Sequence, residues 1–321
     1  MTEPLILTAA LHEKMWGGTA LRDVFGFDIP SETTGEAWLI SGHKNGTVFC
    51  EDGRYAGKSI AELWQEEPQL FGNTDTNRPF PLLVKLLDAH QDLSVQVHPD
   101  DAYAGEHASE LGKTESWYIV AAEPGAEIYY GHTAQTKAEF DAAVYAGDWD
   151  KLLRKVPVKA GDFFYVPAGT LHALGAGVLA LETQQSSDVT YRVYDFDRVD
   201  AKTGELRELH LADAKNVTTV PFVPEQPQTS TATYGGVTVT TLVEAPYFNV
   251  YKWDVDGRAT LDARAPYLLA TVIDGTLDLT VFGVTYPLHK GQSFILPNDV
   301  EAWTLQGEAT LITSTPGPKS M

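Results

Sequence analysis

A faint internal repeat constrains this chain more than any other feature. The segment VKAGDFFYVPAGTLHAL (158–174) aligns with LHKGQSFILPNDVEAWTL (288–305), so that Gly161 matches Gly291 and Pro167 matches Pro297. Each copy reads as a glycine turn, an apolar strand, then a proline-containing turn into another strand. Two copies of such a unit imply two β-domains built alike. Short strand-like runs dominate elsewhere, among them LSVQVHP, TESWYIVAA, VLALETQQ, VTYRVYDFD and TLDLTVFG. Helix signals are few and lie mainly in the first half. Ser59-x-x-Glu62 and Thr136-x-x-Glu139 have the spacing of capping boxes, with Gly72 and Gly147 placed as stops. DDAYAGEHASELG after Pro99 reads as a helical or turn-rich insertion.

The first copy of the repeat resembles the second sequence motif of the cupin β-barrels, G-x5-P-x-G-x2-H. It satisfies the pattern in full with Gly161, Pro167, Gly169 and His172. The second copy keeps Gly291 and Pro297 but has Asp299 and Ala302 at the last two positions. The expected fold is therefore mainly β: two cupin-type jelly-roll β-barrels, with a few short helices inserted in the N-terminal half. The expected organisation is a catalytic cupin over 1–220, a Pro/Thr/Gly-rich linker over 221–236, and a degenerate cupin without metal ligands over 237–321.

Composition limits the partners. The 321 residues carry 23 Lys+Arg against 44 Asp+Glu, a formal charge of −21. Nucleic-acid binding needs clustered positive charge, and anionic membranes repel such a chain. An anionic substrate requires a local basic cluster that overrides the global field. Hydrophobic residues at 43% and charged residues at 21% fit an ordinary globule. A single cysteine, Cys50, rules out an intramolecular disulfide and points to a reducing compartment. Glu3 stands where a signal peptide favours Lys or Arg, and no apolar run approaches a bilayer span of about 20 residues. The expected location is the cytoplasm.

Chemistry concentrates in a few strands. In LSVQVHPDD, Ser94, Gln96 and His98 alternate with Val95 and Val97, so the polar side chains share one face. That face is either a solvated row or the interior of a barrel. Glu115 and Trp117 share a face in TESWYIV, and His172 follows the Gly/Pro turn. Gln96, His98, Glu115 and His172 together offer two imidazole nitrogens and two oxygens, a set suited to zinc or another borderline divalent ion.

The strings SVQVHPDD, GKTESWYI, GDFFYVPAGTLHAL and LETQQSSDVTYRVYDFDR closely resemble the type I mannose-6-phosphate isomerases of the short bacterial form. WGG at 16–18 and GEAWLISGHKNG at 35–46 are similar to the same family. The resemblance runs through residues 1–215 and, more loosely, the C-terminal cupin. It implies a metal-dependent aldose–ketose isomerase that interconverts mannose 6-phosphate and fructose 6-phosphate through an enediol(ate). It implies one Zn2+ per chain, held by Gln96, His98, Glu115 and His172. Gln96-x-His98 replaces the general cupin His-x-His, which is this family's own pattern; Ser116 stands where Cys is frequent in relatives.

Such a reaction needs a Lewis acid, proton-transfer groups and a phosphate anchor. Lys85 lies inside PLLVKLLDA, where an amine is costly unless it is paired, functional or snorkelling at the sheet edge. Glu182 stands among aliphatics in VLALETQQ, either as a base of raised pKa or as a core ion pair, with Arg192 the candidate partner. The resemblance places Lys85, Glu182 and Arg192 in the active site as catalytic groups. It places Ser94, Lys113 and Arg198 around the substrate phosphate; read alone, the two cations are solvated surface charges. Asp195 and Asp197 are candidates to orient the arginines. The other histidines lack ligand spacing and are expected to be structural, His90 and His132 lying nearest the motifs. The competing readings are a cupin oxygenase or decarboxylase and a non-catalytic sugar-phosphate-binding bicupin. Gln96 in place of a His disfavours the first, and the retained Glu182 and Arg192 disfavour the second. The expected partner is a phosphorylated hexose, with the oligomeric state open and a monomer compatible.

Overall fold

The computed structural model describes residues 3–200 and 203–321. Three antiparallel sheets form the framework of the described chain, and most of the short helices lie in its first half. In the N-terminal unit a six-stranded sheet runs in the order Ala10–Gly18, Thr34–Ser41, Leu82–Ala89, Val178–Gln185, Glu115–Ala122, Phe163–Val166. A five-stranded sheet runs Tyr191–Tyr194, Val95–Val97, His172–Leu174, Glu127–His132, Leu153–Pro157.

The strand Leu82–Ala89 shows why the six-stranded sheet is a central layer. All eight of its residues are buried, because it is covered on both sides. Leu82, Val84 and Leu86 join a core shared with the C-terminal unit. Leu87 and Ala89, with the two-residue period, join the core of the N-terminal unit. Lys85 has the same parity as the latter pair and sits 3% exposed in this apolar setting.

The C-terminal unit is an eight-stranded sheet dominated by three long strands, Phe248–Asp262, Leu268–Val281 and Ala302–Pro316. Gly257 pairs with Gly307, and Gly275 lies opposite Ala309 on the adjoining strand. At Gly275, φ is +77° and a Cβ would stand 2.1 Å from the Glu308 carbonyl oxygen, so only glycine fits. This column lets the sheet fold over and enclose its own core of Trp253, Val272, Leu279, Phe294 and Leu311. Both units are cupin-type folded sandwiches. None of the three sheets closes into a hydrogen-bonded barrel, so the expected barrels are open.

The two units are joined at several places. Leu5–Leu7 pairs with Ser293–Leu296, so a strand near the start of the chain belongs to the C-terminal sheet. Ser230–Tyr234, inside the Pro/Thr/Gly-rich stretch, forms a hairpin with Val237–Glu244. Tyr118, Tyr165 and Leu181 of the N-terminal sheets pack with Phe248, Val250 and Ile312. Each such apolar side chain contributes roughly 1.5–3 kcal/mol on burial.

The helices start and stop where the signals place them, but Glu139 accepts from Gln135 N–H, so of the two expected capping boxes only the first is complete. Ser59 and Glu62 form a reciprocal capping box on Ile60–Glu66, and a 3-10 turn then stops at left-handed Gly72. Thr136 caps Lys137–Ala146, and Gly147 separates it from Trp149–Leu152. The insertion after Pro99 is the helix Asp101–His107, capped by the Asp100 carboxylate.

Candidate active site and metal centre

The catalytic candidates converge because of register. On the six-stranded sheet Trp38 pairs with Lys85, Lys85 with Glu182, and Glu182 with Trp117. Directly paired residues share a face, so these four form one row across four strands. Glu115 pairs with Gln184 in the next row but one. On the five-stranded sheet Gln96 pairs with His172 on one side and Arg192 on the other, placing all three on a common face.

His98, Glu115 and His172 meet between these surfaces, with exposures of 1%, 0% and 1%. One ligand atom from each lies within 4.8 Å of the others. The Glu115 carboxylate stands 3.3 Å from His98 Nε2 and 3.1 Å from His172 Nε2. Each imidazole donates its Nδ1–H to a backbone carbonyl at 2.8 Å, His98 to Val189 and His172 to Thr170. Those carbonyls accept only, so the proton is fixed on Nδ1 and the Nε2 lone pair faces the carboxylate. Burial and the Lys113 ammonium push the His98 imidazole down to about 3, keeping it neutral. Burial opposes ionisation of Glu115, yet Lys113 and the two imidazoles outweigh it and hold the carboxyl well below its usual range.

This donor set fits a divalent cation. Glu115 Oε1 and His172 Nε2 are buried without a hydrogen-bond partner, while Glu115 Oε2 faces the Lys113 ammonium at 2.9 Å. Lone pairs facing a carboxylate are costly to bury unless a cation lies between them. The backbone bonds to both Nδ1 atoms are the usual way of orienting metal-bound imidazoles.

The turn before His172 is locked to its neighbours. Gly169 N–H donates to the His98 carbonyl at 2.9 Å, and Ala168 N–H to Thr114 Oγ1 at 3.2 Å. Gly169 has φ +86°, and a Cβ there would meet Thr219 Oγ1 at 2.4 Å. The turn thus ties together the segments that carry His98, Glu115 and His172. Val189, which holds His98, follows a rim where Asn45 donates to Asp188 at 2.9 Å and Asp188 N–H to Glu110 at 3.2 Å.

Beside the donor set lies a second buried charge system. Glu182 Oε2 accepts the Trp117 indole N–H at 2.9 Å, and Oε1 lies 3.7 Å from Lys85 Nζ. Burial and the neighbouring Glu115 charge raise the Glu182 pKa. Lys85 sits 4.7 Å over the Trp38 ring and 3.9 Å from Glu36. Burial works against Glu36 as an anion, but Lys85, Lys14 and the Trp38 N–H bring its pKa down to about 2. One lysine is therefore shared by an ionised glutamate and by one inclined to hold a proton.

The remaining residues divide. Lys113 is buried against the donor set, 2.9 Å from Glu115 and 3.1 Å from His98 Nε2. Ser94 is buried just before Val95–Val97. Arg192 adjoins Gln96 and donates to the Glu208 carbonyl at 2.8 Å, while its buried Nε has no partner. Arg198 is held by the Asp195 carboxylate at 2.5 Å and by the Asp92 carbonyl at 2.5 Å. Asp195 also holds Arg207, so it does orient the arginines. The ion partner offered above for Glu182 is corrected: Lys85 takes that place, and Arg192 does not. Among the histidines, His132 bonds the Thr219 carbonyl and packs on Phe140, and His90 is exposed. Sequence reasoning missed Glu36, Trp38 and Arg207. The signal for Glu36 was present, since it too is an acid inside an apolar strand.

Fold and site together define a cupin whose first unit carries a buried imidazole–carboxylate centre. Residues 5–140 match the type I phosphomannose isomerase catalytic domain, and 238–316 match the mannose-6-phosphate isomerase cupin domain. Mannose-6-phosphate isomerase of Streptococcus mutans is 51% identical over 314 residues, spanning 98% of both chains. A crystal structure of the Bacillus subtilis mannose 6-phosphate isomerase superposes with a TM-score of 0.94 at 51% identity, covering 98% of this chain and 99% of that one. The chain belongs to the type I mannose-6-phosphate isomerase family. A mannose 6-phosphate isomerase structure bound with zinc and yttrium shares the fold at 16% identity, with a TM-score of 0.76 over 98% of this chain and all of that one.

Proposed function

We infer that this chain interconverts mannose 6-phosphate and fructose 6-phosphate, acting on the phosphorylated hexose in the cytoplasm. The observation that carries this reading is the juxtaposition of Glu182 and Lys85 with the buried set His98, Glu115 and His172. His98, Glu115 and His172, with Gln96, would hold a single Zn2+, which when bound supplies Lewis-acid polarisation of the sugar oxygens. Glu182, with its raised pKa, moves the proton between C1 and C2. Lys85, shared by Glu182 and Glu36, handles the ring-oxygen proton during opening. Arg192, one strand over from Gln96, stabilises negative charge on the enediolate oxygens. Ser94, Lys113 and Arg198 receive the phosphate, and the cations are the local exception to a chain of charge −21. Trp38 and Trp117 flank the row and limit water around it.

The test is a coupled assay on purified, metal-replete protein. Fructose 6-phosphate should form from mannose 6-phosphate, and the reverse conversion should proceed on the same enzyme. No turnover in either direction overturns the assignment.

A further inference from the structure

A cavity of about 600 Å3 lies in the C-terminal unit and shares no lining residue with the imidazole–carboxylate centre. Its volume falls within the roughly 300–1,000 Å3 typical of small-molecule sites. We propose that it is a second, non-catalytic site for a neutral saccharide.

Three observations carry the proposal. The first is position. The cavity is lined by Pro297, Val300 and Trp303, the second copy of the turn that in the first copy delivers His172. Ala302, which matches His172, does not line it, so the space lies beside the second copy of the turn and apart from the position that His172 takes in the first.

The second is the lining itself. Trp253 and Trp303 lie nearly parallel, with 12° between planes and 6.1 Å between centroids, and Tyr234, Tyr251 and Tyr267 line the same space. Flat aromatic faces suit the C–H faces of a sugar ring, and indole N–H and phenol O–H groups suit its hydroxyls. The Trp253 and Trp303 Nε1 atoms and the Tyr267 hydroxyl are all buried without a hydrogen-bond partner in the protein. The three residues are 6%, 5% and 1% exposed. A buried donor left unpaired costs about 1–3 kcal/mol, and a ligand whose acceptors reached these three groups would remove that cost.

The third is charge. The lining carries Glu244 and Asp262 against the single cation Arg264, which already donates to Tyr234 at 2.9 Å. The balance opposes a phosphorylated ligand in a protein that is itself strongly acidic. No imidazole or thiol lines the cavity, which removes the donors a transition metal would want. A neutral polyhydroxylated ligand satisfies the carboxylates and the indoles together.

The chain has seven tryptophans, so its indole N–H signals can be followed individually in an 15N-labelled sample. Trp253→Phe and Trp303→Phe assign the two cavity signals by their disappearance. Titration of the full-length protein with D-mannose, and separately with mannobiose, should shift those two signals saturably. The shifts should persist in His98→Ala, whose catalytic centre is broken. Trp303→Phe should weaken binding about tenfold while mannose 6-phosphate turnover stays unchanged. The proposal is overturned if neither sugar moves the Trp253 and Trp303 signals. It is equally overturned if only Trp38 and Trp117 respond, or if His98→Ala abolishes the effect.

Discussion

In the N-terminal unit the turn Pro167–His172 ends in an imidazole that is 1% exposed, fixed at Nδ1 and facing a buried carboxylate. In the C-terminal unit the matching turn, Pro297–Ala302, ends in an exposed methyl group followed by the buried Trp303. Gly161 and Pro167 recur as Gly291 and Pro297, while left-handed Gly169 gives way to Asp299. What differs is the set of side chains facing the turn from other strands. His172 meets Glu115 and His98, each from a different segment, and Lys113 balances the carboxylate. Trp303 stacks beside the indole of Trp253. The turn thus supplies a scaffold, and chemistry arises where the facing sheet supplies charge. Among the described residues no second cluster of three metal-ligating His, Cys, Asp or Glu side chains occurs.

The comparison can be broken most forcefully from the N-terminal side. His98→Ala removes one of two imidazoles and leaves Glu115 facing fewer partners. Bound metal should be lost and turnover reduced by about 10³-fold or more, the several kcal/mol that Lewis-acid stabilisation supplies. Elemental analysis and the coupled assay read both quantities; metal retained at wild-type stoichiometry would contradict the ligand assignment.

Glu182→Gln separates the proposed base from the proposed metal ligands. The variant should retain its metal and lose about 10²–10⁴-fold in kcat. Burial raises the Glu182 pKa, so protonation of this carboxyl should form the acid limb of the wild-type rate profile. Residual turnover of the variant should lack that limb, as a pH series of kcat/KM would reveal.

A smaller effect concerns stability. The folded-state pKa of His98 is lowered from 6.5 to about 3 by burial and Lys113, so between those values the unfolded chain binds the extra proton. Stability is therefore fully present above pH 6.5 and falls as pH drops towards 3, by roughly 1 kcal/mol per pH unit. His12 and His132, also lowered by burial, act in the same direction. Glu36 adds to the loss as pH falls from 4.5 towards 2. Denaturant midpoints of metal-free protein across pH 4–7 should show this slope, and His98→Asn should flatten it.

The smallest effect tests the other half of the comparison. Ala302→His restores the missing histidine at an exposed position, so stability should change by no more than about 0.5 kcal/mol. Metal content should stay at the wild-type value, because no carboxylate–imidazole pair faces that turn. A gain of metal would show that the turn alone makes the site.

Much of this was readable from residues, and the unreadable part has a clear origin. The two-residue alternation of Ser94, Gln96 and His98 separated the polar row from Val95 and Val97, both fully buried in the structure. Capping chemistry marked the helices starting after Ser59 and Thr136, because those signals are local. Cross-strand register is not local. Nothing in VLALETQQ or PLLVKLLDA states that Glu182 faces Lys85 across a strand pair, so the partner chosen from sequence was Arg192. The same blindness hid Glu36, whose significance depends on Lys85 standing 3.9 Å away. The insertion of Leu5–Leu7 into the C-terminal sheet escaped for the same reason, since its partner lies nearly 300 residues along the chain.

The central claim is that one metal, held only in the first cupin, is required for sugar isomerisation. Metal per chain and mannose 6-phosphate turnover, measured on one preparation before chelation, after chelation and after zinc is restored, test it most directly. The account predicts one metal per chain, loss of turnover as that metal is removed, and recovery when one equivalent of zinc returns. Undiminished turnover in fully metal-free protein would contradict it, as would a second metal required for activity.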